Sequence, residues 1–308
     1  MQSKSELAPI GPASAALALL CGVLWGGLAV AIRTTQDDLP PLLTAGLRFS
    51  LATLVLSLWA WRQGEPLRIR AGQGLPILAV GVMLFLQIAL YHWGLTRTNS
   101  AHGSVLIGSH PVFVAGIAHF ALAGDRLTWT KSLGLLIALA GLAAVVGGGQ
   151  TAAGTAIAAR DAVTLLGDAI VLGSSLLLGL KTVYSKHALA HTEVAKLVLW
   201  SNALATVMFF ALSFATEDLS RARLDAAGVA GLLYQGLVVA GFCFTAWTYL
   251  LRRHRASHLA VFGFLQPICG ILFGVWLRGD PLSAWLLAGG LAVGVGIVLV
   301  TRADAVEV

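Results

Sequence analysis

Apolar runs of about 20 residues recur ten times along this chain, at approximately 13–33, 41–61, 75–96, 101–122, 129–148, 163–185, 195–215, 227–250, 257–277 and 282–301. Wound as a helix rising about 1.5 Å per residue, a run of that length crosses the roughly 30 Å hydrocarbon core of a bilayer. Backbone groups in lipid find no water, so each run must satisfy its own hydrogen bonds as a helix. The expectation is an all-α integral membrane protein of ten transmembrane helices. Of the 308 residues, 57% are hydrophobic and only 11% charged, with a mean hydropathy of +0.84. A soluble domain carries roughly 25% charged residues, so there is too little polar surface here to cover a water-soluble globule.

The net charge of +6 does not point to nucleic acid, because the basic residues stand in short links between apolar runs rather than on one continuous face. They report orientation instead. With the N-terminus in the cytoplasm, Lys4, Arg62, Arg68, Arg70, Arg126, Lys131, Lys186, Lys196, Arg252, Arg253, Arg255 and Arg302 fall inside. Arg33, Arg97, Arg160, Arg221, Arg223 and Arg278 fall outside, half as many. Ten spans then return the C-terminus to the cytoplasm. The first run is long enough to span, so it is read as a helix and not as a cleaved signal. Cys21, Cys243 and Cys269 sit singly in apolar runs, with no CxxC or CxxH spacing to suggest a disulfide framework or zinc site.

The two halves of the chain repeat each other. Arg97-x4-His102-x2-Val105-x5-Pro111 is matched by Arg253-x4-His258-x2-Val261-x5-Pro267, an offset of 156. Gly124-Asp125-x-Leu127-Thr128 is answered by Gly279-Asp280-x-Leu282-Ser283, and Gly26-x6-Arg33 by Gly179-x6-Lys186. The Gly/Ala/Thr-rich link from Gly147 to Asp161 divides them, giving one five-helix unit over 1–150 and a second over 151–308. Five is odd, so the second copy must enter the membrane from the opposite side. Two inverted five-helix repeats put a substrate site at their interface near the midplane.

In order along the chain, Trp25-Gly26, Leu47-Arg48-Phe49, Ala89-Leu90-Tyr91, Pro111, Gly124-Asp125-Arg126-Leu127-Thr128 and Gly167-Asp168 resemble the EamA-type members of the drug/metabolite transporter superfamily, from about residue 14 to 301. Aspartate stands at both Gly-Asp turns where that family usually has glutamate, and Pro281 follows the second. The resemblance implies a ten-helix carrier that exports amino acids, other metabolites or toxic compounds.

The candidate binding residues are the polar and aromatic side chains within the runs. Pro111 and Pro267 each remove a backbone donor near mid-span, and His110 and Gln266 precede them. By the repeat these two are equivalent, a pair of half-sites. Arg48 and Lys181 are cations at membrane depth, where a charge must pair or face water. Arg48 suits an anionic substrate group, whereas Lys181 could also snorkel to the interface. Trp25, Gln87, Tyr91 and Asn202 complete the set of eight. Asp168 is the one carboxylate to consider for proton coupling. Trp59, Trp61, Trp129 and Trp285 read as interfacial anchors. Gly22-x3-Gly26 and Gly290-x3-Gly294 read as packing stripes within the bundle, or between copies in a homo-oligomer.

No catalytic set is present: His187-x3-His191 lacks the following glutamate of a zinc protease, and neither a Gly-x-Ser-x-Gly elbow nor a Walker loop occurs. No cofactor is expected, and the partners are a small-molecule substrate and the bilayer. The sequence reads as a secondary transporter of a small polar or amphipathic metabolite, such as an amino acid, working by alternating access in a bacterial inner membrane. A membrane-embedded lipid-modifying enzyme and a channel are the alternatives.

Overall fold

The computed structural model describes residues 10–62, 64, 67–121, 128–152, 163–220, 222–254, 259 and 261–306. These form helices α1 (Pro12–Gly26), α2 (Leu28–Gln36), α3 (Pro41–Arg62), α4 (Gly74–Leu95), α5 (Ser100–Gly108), α6 (His110–Ala121), α7 (Trp129–Ala152), α8 (Leu165–Ala188) and α9 (Val194–Thr216). There follow α10 (Ala226–Leu233), a π-helical segment (Tyr234–Cys243), α11 (Phe244–Arg253), a 3₁₀ turn (Val261–Phe264), α12 (Leu265–Phe273), a π turn (Gly274–Arg278) and α13 (Ala284–Val306). Among the described residues there is no strand. Gly124 to Leu127, His258, part of the Gly147 to Asp161 link and both chain ends fall outside the described residues.

Among the described residues, seven helical stretches are long and apolar enough to cross a membrane: Pro12–Gln36, Pro41–Arg62, Gly74–Leu95, Trp129–Gly147, Leu165–Ala188, Val194–Thr216 and Ala226–Arg253. Besides the turn at Gly27 between α1 and α2, two expected spans are interrupted. Residues 101–121 are two helices parted at Ser109, and residues 261–278 are a 3₁₀ turn, a short helix and a π turn. Proline explains both breaks: it cannot donate to the residue four back and its ring clashes there, so it is tolerated in a first turn. Pro111 and Pro267 accordingly stand in the opening turns of α6 and α12 rather than inside a helix. The last run begins as expected, with α13 apolar over Ala284–Leu299.

Helices pack in pairs across the two halves: α7 on α13, α3 on α9, and α5 on α12. The contact of α4 with α8 is answered by that of α10 and the π segment with α2, and α4 on α9 by the π segment on α3. Likewise α6 on α8 is answered by α12 on α1. Exchange of the halves therefore turns this set of neighbours into itself. Small residues allow the approach. A Cβ on Gly141 would lie 2.7 Å from Gly289 O, and one on Gly26 would lie 3.0 Å from Gly270 N. Gly22 and Gly26 thus pack within the chain, whereas Gly294 faces open space.

Polar contacts gather at the two ends of the bundle. At the first end, Arg33 donates to Leu95 O (2.9 Å), Thr98 Oγ1 to Asp168 Oδ1 (2.7 Å), and Ala101 N to Asp280 Oδ2 (2.8 Å). Arg278 NH1 also meets Asp37 Oδ2 there at 2.7 Å. At the second end, Gln73 Nε2 donates to His191 O (2.9 Å) and Glu193 Oε2 (3.1 Å), and Lys196 Nζ lies 3.0 Å from that carboxylate. Trp61, Trp129 and Trp285 all face outward.

Candidate functional site

Between the two ends lies a cavity of about 130 Å³. Space of this order, roughly 150 Å³, accommodates a benzene-sized molecule in a protein interior. Helical spacing aims its lining. From α4 come Val80, Leu84, Gln87, Ile88 and Tyr91; from α8 come Leu178, Lys181, Thr182 and Ser185. Phe244, Trp247, Thr248 and Leu251 of α11 follow the same i, i+3, i+4, i+7 rhythm. They begin where the π segment ends. Each wider π turn shifts the phase of the residues after it, which is how such segments re-aim side chains at sites. Leu197, Val198, Ser201 and Asn202 of α9 close one wall. Trp25, Leu28, Arg48, Ile107, His110 and Gln266 enter from α1, α2, α3, α5, α6 and α12. Lining residues come within about two turns of the second end at Val80, Ser185, Leu197 and Leu251. Towards the first end the lining stops near Leu28, Arg48 and Tyr91.

All eight residues singled out in the sequence line this one cavity. Their surroundings differ. Arg48 is fully buried, and its Nε, NH1 and NH2 have no hydrogen-bond partner. Its guanidinium carbon sits 4.9 Å from the centroid of Phe49 and 5.7 Å from that of Phe244. Lys181 does not snorkel: its ammonium lies 5.3 Å from the same Phe244 centroid, inside the bundle. A charge at the membrane centre costs about 2.5–3.5 kcal/mol on insertion scales, and cation–π contact recovers about 0.5–2 kcal/mol per pair. The two contacts together can offset much of that cost, but the guanidinium nitrogens still lack an acceptor.

Tyr91 is buried with its hydroxyl unpartnered, and Asn202 with its Nδ2 unpartnered. Both offer a polar group to whatever fills the cavity. Trp25 packs edge-on to Trp247 with ring centroids 4.9 Å apart, forming an aromatic wall. Gln87 is held instead: its Nε2 donates to Ser174 Oγ (3.0 Å), and that hydroxyl donates back to Gln87 O (2.7 Å). This clasp joins α4 to α8 and leaves the Gln87 side chain less free than the sequence suggested.

The proline break beside His110 is chemically complete. Pro111 cannot donate to Ile107 O; that carbonyl faces His110 Nδ1 at 3.3 Å and accepts from Ser175 Oγ at 3.3 Å. His110 is thus both a lining residue and a patch for the broken helix. Gln266, its counterpart by the repeat, is buried beside Pro267 on the other half.

Sequence reading missed the hydroxyls of Thr182, Ser185, Ser201 and Thr248. A signal existed for the first two, since Lys181, Thr182 and Ser185 share a helical face. Thr182, Ser201 and Thr248 each donate to the carbonyl four residues back, leaving oxygen lone pairs rather than protons towards the cavity. Asp168 stands apart from the lining. It is fully buried at the first end, accepts from Thr98 and lies 3.3 Å from His102 Nδ1. His187 and His191 meet edge-on with ring centroids 6.3 Å apart, and among the described residues no three metal-ligating side chains converge.

The profile of the EamA-like transporter family matches residues 13–147 and again 165–302. An "Uncharacterized transporter YoaV" of Bacillus subtilis (strain 168) is 27% identical over 281 residues, covering 91% of this chain and 93% of its own. A "Probable amino-acid metabolite efflux pump" of Salmonella typhimurium is 25% identical, covering 92% of this chain and 93% of its own. A "Probable terminal-alkyne amino-acid exporter" of Streptantibioticus cattleyicolor is 27% identical, covering 92% of each. A crystal structure of an 18% identical protein shares the fold, with a TM-score of 0.72 over 95% of this chain and 99% of that one.

Proposed function

We propose that this chain, which belongs to the EamA-like transporter family and is a multi-pass transmembrane transporter, is a secondary exporter of a small metabolite such as an amino acid. Two inverted five-helix repeats, 1–150 and 151–308, work by alternating access around the central cavity. The observation that carries the reading is that one cavity is lined from both halves, with His110 and Gln266, equivalent by the repeat, contributed one by each half. The self-matching set of helix neighbours supports a two-fold relation between the halves, and five passages in each half make that relation an inverted one. Three of the ten passages are then the broken pair α5/α6, the 259–278 passage and α13. Relatives named as amino-acid metabolite efflux pumps support the substrate class and the direction.

The lining drawn from α8, α9 and α11 lies towards the second end, which supports a state closed at the first end. On the basic-residue bias the second end is cytoplasmic, so this state would face inward, in a bacterial inner membrane with both termini in the cytoplasm. Counterflow of labelled amino acids and related metabolites in proteoliposomes tests the carrier reading. Saturable exchange is expected, and His110→Ala or Gln266→Ala should weaken it more than either lowers folded yield. A unitary current in planar bilayers would make the protein a channel instead. Wild-type exchange by both variants would remove the cavity from the transport path.

A further inference from the structure

We infer that the solute carries net negative charge: a carboxylate on one compact apolar body, with no free amino group required. The inference rests on the carrier reading and goes further in assigning the charge class. It starts from Phe244, whose one ring lies 5.7 Å from the Arg48 guanidinium carbon and 5.3 Å from the Lys181 ammonium. Two cations from opposite halves therefore bracket a single aromatic ring at the cavity wall. Arg48 is fully buried with all three side-chain nitrogens unpartnered. Among the described lining residues none is Asp or Glu, so the cavity holds two formal positive charges and no formal negative one.

Burial of an ion without a counter-charge is costly, and hydrogen bonds to neutral groups offset it only in part. An entering carboxylate supplies what is missing. Arg48 can meet it with its planar fork, and Lys181 as a point charge. An entering ammonium finds the reverse. The lone pairs of Thr182, Ser201 and Thr248 can accept from it, but these are neutral and cannot offset two like charges in a low-dielectric space. Aromatic faces are the other refuge for an ammonium. The Phe244 ring is already occupied, Trp25 and Trp247 pack against each other at 4.9 Å, and the Tyr91 ring, edge-on to His92 at 6.5 Å, is no less exposed to the repulsion of the two cations. The buried carboxylates Asp168 and Asp280 accept from Thr98 Oγ1 and Ala101 N, and both lie outside the lining. The aromatic wall and the cavity of about 130 Å³ suit one branched aliphatic chain or one small ring.

The test uses purified full-length protein and two matched sets of probes. One is 4-methyl-2-oxopentanoate, leucine and isoamylamine; the other is phenylpyruvate, phenylalanine and phenethylamine. Binding is read by thermal shift and by quenching of tryptophan fluorescence, and exchange by counterflow. The 2-oxo acid of at least one set should bind about ten-fold tighter than its amino acid, a difference of about 1.4 kcal/mol, and its amine should not bind. Lys181→Gln should erase most of that preference. Arg48→Gln should do the same; should it not fold, Lys181→Gln alone still decides.

Equal binding of amino acid and 2-oxo acid, or binding of the amine, overturns the charge assignment while leaving the carrier reading intact. So does an anion preference that survives Lys181→Gln. Absence of binding and of counterflow for all six probes removes the carrier reading together with the inference.

Discussion

The carboxylate of Glu217 holds two helices together. Its Oε1 accepts from Leu42 N at 2.7 Å, its Oε2 from Leu43 N at 2.9 Å, and Ser213 Oγ donates to it at 2.6 Å. Pro41 opens α3 and has no N–H, so Leu42 and Leu43 carry the first free donors of that helix. Glu217 thereby caps α3 from the end of α9, 175 residues away in sequence. Loss of a capping acceptor costs about 1 kcal/mol per donor, and a negative charge at a helix N-terminus contributes about 0.3–1 kcal/mol more. Glu217→Ala should therefore destabilise the fold by about 2–3 kcal/mol. Glu217→Gln, which keeps one acceptor and loses the charge, should cost about 1 kcal/mol. At about 2–4 °C per kcal/mol for a large domain, the melting midpoint of the detergent-purified protein should fall by about 4–12 °C in the alanine variant. The glutamine variant should fall between it and the wild type. A midpoint within 1 °C of wild type for Glu217→Ala would refute the cap, as would a larger loss for glutamine than for alanine.

Three further outcomes are expected. Arg278→Gln, which removes the 2.7 Å contact with Asp37 at the first end, should favour opening there by up to about 1 kcal/mol; a cysteine at Leu28 should then label about five-fold faster from that side, and an unchanged rate would exclude the pair as a gate. Gly270→Ala places a Cβ against Ser104 Cβ and Oγ, an overpacking that should cost about 1–3 kcal/mol. Adding Ser104→Gly should recover at least half of that in the melting midpoint, and simple additivity would show that the two helices do not meet there. Asp168→Ala strands the Thr98 hydroxyl in a buried site and should lower stability by about 1–3 kcal/mol with counterflow by the folded fraction unchanged; loss of exchange in a fully folded variant would instead give this carboxylate a part in coupling.

How much was legible in the sequence varies by residue. Arg48, Lys181, His110 and Gln266 announced themselves because ionic and polar groups within apolar runs have few places to go. That argument needs no structure, and all eight candidates do meet at one cavity. The argument could not separate a side chain left free from one already engaged. Gln87 and Tyr91 looked alike in sequence, yet Ser174 holds the first while the Tyr91 hydroxyl has no partner. Which of them is satisfied depends on what α8 presents opposite, and that is long-range information.

Helical character and membrane residence follow from the chain itself, because lipid leaves an apolar run of about 20 residues almost no other conformation. The repeat at offset 156 is likewise a property of the letters. The proline positions told where helices would be disturbed, but tertiary contacts decided how. Ile107 O, left without its usual donor, accepts from Ser175 of the other half, so the chain can break cleanly at Ser109. The π segment before Phe244 carries no comparable mark in the sequence. Its wider turns set which face of α11 meets the cavity, and only packing against α3 and α2 selects them. Local chemistry fixed the elements, since hydrogen bonds within a helix join near neighbours. The phase of each helix, and the void left between them, were decided by contacts between residues far apart in the chain, 68 positions for Ile107 and Ser175 and 175 for Leu42 and Glu217.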